Sequence, residues 1–257
     1  MYHNNLKISE MSLTNKNVVI TGGSTGIGLA TAKAFINAGA NVVITGRSAD
    51  NLQKAASAIN SPNLKTLVSD TSNLDGISVL ENYVAENGKK LDVLFLNAAI
   101  ATFKPIEHAT EADFDAQFNT NVKGHFFTLQ KLLPHLADGA SVVFTSSIVA
   151  TASGAGTGIY SATKGAINKI AQIAANELAE RKIRVNTVSL GPIQTPGLDG
   201  VATPEAKANL AASTALQRLG TADEIANTVL FLCSDAASFI SGADITVDGG
   251  ALTYMMK

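Results

Sequence analysis

A short apolar run, Asn17–Ile20, passes without a linker into Thr21-Gly22-Gly23-Ser24-Thr25-Gly26-Ile27-Gly28, which opens the alanine-rich stretch Gly26–Ala38. A strand that turns through glycines directly into a helix is the opening half of a βαβ unit, since a parallel partner strand is reached only by a crossover over one face of the sheet. The rest of the chain repeats this alternation. Candidate strands are Asn17–Ile20, Asn41–Thr45, Leu64–Val68, Leu91–Leu96, Ala140–Thr145, Arg184–Leu190 and Asp244–Val247. Their near-continuous apolar character suits strands covered on both faces. Between them lie predicted helices over Gly26–Ala38, Ala49–Ile59, Asn73–Asn87, Thr110–Leu136, Tyr160–Arg181 and Ala222–Ser234. Ser48 and Thr110 read as N-caps, and Gly88 and Gly139 fit helix C-termini.

This order predicts one α/β domain over residues 1–257: a doubly wound, Rossmann-type fold with a seven-stranded, mainly parallel sheet and helices on both faces. No repeat, low-complexity tract or Pro/Gly linker divides it. Residues 1–12 are expected to form a flexible leader, with Met11 a candidate start. Residues 191–210, with Pro192, Pro196, Gly197, Gly200 and Pro204, are the least regular stretch and are expected to form a substrate lid.

Bulk properties exclude several function classes. A net charge of -2 gives no footprint for nucleic acid. The uncharged stretch Ala140–Thr163 is too rich in Gly, Ser and Thr to be a membrane span, and Met1–Glu10 lacks an apolar signal core. The lone Cys233 excludes an intrachain disulfide and reads as a packed helical thiol, which fits a cytoplasmic protein. His3, His108, His125 and His135 show no metal-ligand spacing, so no metal is expected. His125 and His135 are assigned to helix surfaces or structural hydrogen bonds.

The glycine turn has a chemical reading. Glycines let the backbone approach a pyrophosphate, whose charge the helix N-terminus favours. The second strand ends Thr45-Gly46-Arg47-Ser48, with no acid until Asp50. An acid there would accept from the ribose 2′-hydroxyl of NAD, whereas Arg47 can pair with the 2′-phosphate of NADP through several donors. Asp70, followed by Thr71, reads either as an acceptor for an adenine amino group or as a turn cap. The strand end Asn97-Ala98-Ala99 is small enough for close cofactor approach.

Tyr160-Ser161-Ala162-Thr163-Lys164 opens a strong helical run and places phenol and ammonium on one helix face. A cation beside a phenol lowers its pKa from about 10 towards the range of acid–base catalysis. Ser146 and Ser147 end the fifth strand, at the carboxyl edge where parallel α/β sheets place their chemistry; spacing alone does not separate them. Asn121 and Gly124 inside a helix predict a local distortion or a bound water.

Together these residues resemble the short-chain dehydrogenases/reductases in their single-domain, NAD(P)-dependent form. The resemblance runs from about Leu13 to Tyr254. It rests on Thr21–Gly28, Asn97-Ala98-Ala99, Asn121–Gly124, the serine pair, Tyr160 with Lys164, Gly191-Pro192 with Thr195, and Val247-Asp248-Gly249-Gly250. It implies a catalytic tetrad of Asn121, Ser147, Tyr160 and Lys164, the serine being the one thirteen residues before the tyrosine. It implies NADP(H) held by Gly22, Ser24, Thr25, Gly26, Ile27, Gly28, Arg47, Ser48, Asp70, Thr71, Asn97, Ala98, Ala99, Tyr160, Lys164, Pro192, Ile193 and Thr195. The family's N-N-A-G is here Leu96-Asn97-Ala98-Ala99, so a methyl stands beside the expected nicotinamide.

Substrate contacts are expected from Ser147, Ile148, Ala152, Ile159 and Leu198, mostly small or apolar, which favours a small apolar ketone or aldehyde. The expected activity is carbonyl reduction or alcohol oxidation. The rivals are a 3-oxoacyl-carrier-protein reductase, a sugar or polyol dehydrogenase, and a catalytically silent cofactor-sensing regulator. The family also implies a homotetramer, with Ala251–Met256 near an interface.

Overall fold

The computed structural model describes residues 11–253. Most of the predicted leader and the end of the predicted C-terminal interface segment lie outside them. The seven predicted strands form one parallel sheet: β1 (Asn17–Ile20), β2 (Asn41–Gly46), β3 (Leu64–Val68), β4 (Leu91–Leu96), β5 (Leu136–Ser147), β6 (Arg184–Leu190) and, last in the chain, Asp244–Val247. The last strand is β9, because two-residue strands β7 (Ile193–Gln194) and β8 (Gly220–Thr221) pair with each other outside the sheet. The order is β3-β2-β1-β4-β5-β6-β9, so the chain reverses direction across the sheet between β1 and β4. A crevice opens at the carboxyl ends of the strands at such a switch point.

The apolar continuity of the strands is explained by two cores. On one face Val18, Ile20, Val42, Ile44, Phe95, Val143 and Val188 pack with Ala32 and Phe35 of α1 (Gly26–Asn37) and Ile225, Val229 and Leu232 of α9 (Ala222–Cys233). On the other, Val19, Leu94, Leu96, Val142 and Phe144 pack with Leu80 of α3 (Leu74–Asn87), Leu129 and Leu132 of α5 (Gly124–Leu132) and Ile167 and Ala171 of α6 (Gly158–Glu177). Val18, Val19 and Ile20 thus alternate between two buried layers, which is why no polar residue interrupts them.

Helix punctuation follows local chemistry. Ser48 caps α2 (Ala49–Ile59) by accepting from the Asn51 amide, and Thr110 forms a capping box with Asp113 at α4 (Glu111–Phe118). Gly88 closes α3 in the left-handed region at φ +64°.

Two expectations need correction. Thr110–Leu136 is not one helix: α4 gives way to a π-helical turn, Asn119–Lys123, before α5, and a 3₁₀ turn, Leu133–His135, ends the run. Pro134 lacks the amide to carry it on. Gly139 is therefore no helix terminus; it lies inside β5, near its start, at φ +80°. The 191–210 stretch is also more regular than expected. It holds β7, the single-turn α7 (Pro196–Asp199) and most of α8 (Pro204–Ala212), the two helices capped by Thr195 and Thr203. Cys233 is buried, and burial pushes its thiol up to about 12, as a packing role requires. No helix among the described residues is long and apolar enough to cross a membrane.

Candidate active site

The loop between β1 and α1 is shaped by what its glycines touch. A Cβ on Gly28 would stand 2.2 Å from the Gly22 carbonyl oxygen, and one on Gly23 would stand 2.5 Å from the Ile44 side chain. Gly22 turns at φ +65° against the Ala98 backbone, and Gly26 at φ +54° faces Thr195, 3.7 Å from where a Cβ would stand. Thr25, the N-cap of α1, makes no side-chain cap, so the first amides of that helix stay available, unlike those of α2, α3, α4 and α9. A glycine cradle at an uncapped helix N-terminus fits a dinucleotide pyrophosphate.

Asn97 locks this cradle to the neighbouring strands. Its amide donates to the carbonyls of Thr21 (3.2 Å) and Gly22 (3.1 Å), while its Oδ1 accepts from Thr145 Oγ1 (3.2 Å). Arg47 lies exposed at the end of β2, with no side-chain hydrogen bond or ion pair among the described residues, so its fork is open to an anion. Ser48 is engaged as the α2 cap. Asp70 Oδ1 accepts from the Ser72 amide at 2.9 Å, the turn-capping role, which leaves its second oxygen open. Thr71 is buried, its carbonyl against Gly124. Pro192 accepts from the Gly220 amide, and Ile193 pairs with Gly220 in β7–β8. The protein groups around this crevice thus fit a nicotinamide dinucleotide.

The four tetrad residues converge at the same edge. Lys164 is fully buried and donates to the Thr145 carbonyl at 2.8 Å, with Nζ 5.5 Å from the centre of the Tyr160 ring. Its burial pulls the ammonium down to about 7. Burial also pushes the Tyr160 phenol up to about 12, opposed by the neighbouring Ser147 hydroxyl. The phenol thus stands raised, not lowered as expected: burial outweighs the other influences on it, and the Lys164 ammonium is bonded to the Thr145 carbonyl. Ser147 also contacts the Leu190 carbonyl and the Val149 amide, both at 3.4 Å. Ser146 is 1% exposed and its hydroxyl has no partner among the described residues. Asn121 sits on the π-helical turn, the distortion expected of it. Its amide spans the Ile100 backbone, accepting from N–H at 2.9 Å and donating to C=O at 2.8 Å.

Comparison with known proteins agrees with this geometry. The profile of a family described as enoyl-(acyl carrier protein) reductase matches residues 22–252. The chain belongs to the short-chain dehydrogenase/reductase family of oxidoreductases. It is 38% identical to an uncharacterised oxidoreductase of Methylorubrum extorquens, over 93% of this chain and 98% of that one. It is 34% identical to an NADP-dependent (R)-specific alcohol dehydrogenase of Lentilactobacillus kefiri, over 93% of this chain and 97% of that one. A short-chain dehydrogenase from Burkholderia cenocepacia, solved in complex with NADP, superposes with a TM-score of 0.86 at 33% identity, covering 94% of this chain and 99% of that one.

On the substrate side of this short-chain dehydrogenase/reductase, Ile148 and Ala152 are half-buried on the turn after Ser147, and Leu198 is half-buried on α7. Ile159 instead lines a groove of about 720 Å³ between α4 and α6 with Ile106, Phe114 and Ala162, and neither Tyr160 nor Ser147 borders that groove. Phe103, which sequence reasoning passed over, meets the Tyr160 ring edge-on at 5.6 Å while remaining half exposed. No periodic signal marks it, because it lies in a connecting segment.

For His125, of the two expected places, a helix surface or a structural hydrogen bond, the structure shows the second. His125 is 1% exposed, its Nε2–H donating to the Ala98 carbonyl at 2.8 Å and its Nδ1 without a partner among the described residues. Burial, reinforced by the Lys164 charge, pulls it down to about 3. The folded ring thus stays neutral where the unfolded one takes a proton near pH 6.5. The stability this contributes is complete above pH 6.5 and is lost as pH falls towards 3. We expect a loss of about 2 kcal/mol between pH 6.5 and 5, read by urea denaturation, and a flatter profile for His125→Gln. An unchanged profile in that variant would show that His125 titrates normally in the fold.

Proposed function

We propose that this short-chain dehydrogenase/reductase reduces a small apolar ketone or aldehyde, reversibly, with NADP(H) as cofactor. The observation that carries the reading is the Tyr160–Lys164 arrangement: a phenol kept protonated at neutral pH beside Ser147, its ring centre 5.5 Å from the Nζ of a buried lysine. A protonated phenol is what a general acid must be.

When bound, the nicotinamide supplies or accepts hydride. Gly22, Gly26 and Gly28 give the pyrophosphate a close backbone approach, and Arg47 offers two or more donors to a 2′-phosphate. Tyr160 gives its proton to the carbonyl oxygen as negative charge develops there. Ser147 donates a hydrogen bond to the same oxygen, stabilising charge where it appears. Among the described residues Lys164 has one acceptor, the Thr145 carbonyl, which leaves donors for ribose hydroxyls. Asn121 holds the backbone at Ile100 and keeps the π-helical turn behind Lys164 in place. In the oxidation direction Tyr160 takes the proton back.

The test is the oxidation of NADPH and NADH by purified protein against ketones, aldehydes, acetoacetyl thioesters and sugars. NADPH consumption with aliphatic or aryl ketones is expected. Turnover confined to the thioesters would instead favour a carrier-protein reductase. Arg47→Asp is expected to raise the NADPH KM about 10- to 100-fold, since it removes a bidentate partner and adds a repelling charge, while the NADH KM changes far less. An unaltered NADPH:NADH ratio in that variant would remove Arg47 from cofactor selection.

A further inference from the structure

The segment that leaves β4 is held by a ladder of side chains from one helix face. Asp113, Gln117, Asn121 and His125 are spaced four apart along α4, the π turn and α5, and they bond to Lys104, Thr102, Ile100 and Ala98, which are spaced two apart. Asp113 takes the Lys104 ammonium at 2.6 Å. Gln117 donates to the Thr102 carbonyl at 3.2 Å and accepts from its amide at 3.3 Å. Asn121 does the same for Ile100, and His125 holds the Ala98 carbonyl.

The lengths match. Four helical residues rise about 6 Å and two extended residues about 6.6 Å. A regular α-helix would turn its stripe by about 40° for each four residues, and the wider π turn at Asn119–Lys123 takes that drift back. Gln117, Asn121 and His125 are each no more than 1% exposed, so the rungs are shielded from water.

The strap joins the two halves of the crevice. At one end Ala98 packs against Gly22 of the cradle; at the other Phe103 stands edge-on to Tyr160, and the Lys104 amide donates to the Gly156 carbonyl across the opening. We propose that His125 and Gln117 are positioning residues for opposite ends of this strap: His125 sets the cofactor wall through Ala98, and Gln117 sets Phe103 as the wall that meets the apolar substituent of the substrate. This rests on the carbonyl-reductase reading above.

The test uses the full chain, with NADPH affinity from calorimetry and KM values measured with NADPH and acetophenone. His125→Leu is expected to weaken NADPH about tenfold and leave the ketone KM within a factor of about two. His125→Gln, whose amide can also donate to the Ala98 carbonyl, is expected to recover most of the loss. Gln117→Leu is expected to show the reverse split, raising the ketone KM about tenfold with NADPH affinity kept. Should it fail to fold, Phe103→Ala carries the substrate arm, since that ring is half exposed. Variants that shift both constants together, or neither, overturn the inference while the activity stands. A parent chain that neither binds NADPH nor turns over ketones overturns the carbonyl-reductase reading and this inference with it.

Discussion

Tyr160→Phe is expected to lower kcat about 10³-fold while NADPH affinity stays within a factor of about two. The substitution removes one oxygen and leaves the ring, so the edge-on contact with Phe103 and the position over Lys164 persist. What is lost is the hydroxyl beside Ser147 that stays protonated at neutral pH. Lys164 does not replace it, because its Nζ is engaged by the Thr145 carbonyl. Steady-state kinetics together with a calorimetric NADPH titration check this. Retained turnover would show that another donor protonates the substrate, and lost binding would show that the hydroxyl serves the cofactor.

Gly28→Ala is expected to act on the other half of the site. Its Cβ would stand 2.2 Å from the Gly22 carbonyl oxygen and 2.8 Å from the Asn97 amide nitrogen, closer than atoms approach. The cradle must open, and the Asn97 bonds to Thr21 and Gly22 open with it. Overpacking of this kind costs about 1–3 kcal/mol, which corresponds to a 5- to 150-fold weakening of NADPH if it falls wholly on the bound state. Gly200→Ala is the control, since its Cβ would meet nothing nearer than 3.6 Å and its backbone is not left-handed. Melting temperature and NADPH affinity together separate the two routes: a lower affinity at unchanged melting places the cost in the cradle, whereas a parallel fall would place it in the fold.

The order of elements was legible because each strand sits between two apolar layers, and runs such as Val18-Val19-Ile20 therefore announce themselves without a periodic signal. Helix N-termini at Ser48 and Thr110 were legible for the same local reason, a side-chain oxygen placed before the first turn. The break in the fourth crossover was half legible: Asn121 and Gly124 marked a distortion, but the stop at Pro134 and the role of Gly139 depended on where β5 meets β4. The tetrad's positions followed from family resemblance, whereas the direction in which Lys164 points did not, being set by the depth of the cleft. The partners of His125 and Gln117 were not legible, for a different reason. A histidine or glutamine in a helix looks like a surface residue until the segment it bonds is known, and that segment lies more than a dozen residues away in sequence.

The paired spacing of helix and strap constrains how the crevice can be altered. Inserting or deleting one residue between Ala98 and Lys104 would move the downstream backbone groups out of step with Gln117 or Asn121, so grafting a longer connector here would unfasten several bonds at once. The alternate residues Ala99, Ala101 and Phe103 make no rung and are exposed, whereas Ala98, Ile100, Thr102 and Lys104 are half-buried. Those three odd-numbered positions are accordingly where a designer, or evolution, can exchange side chains to reshape what the opening admits while the scaffold keeps its register.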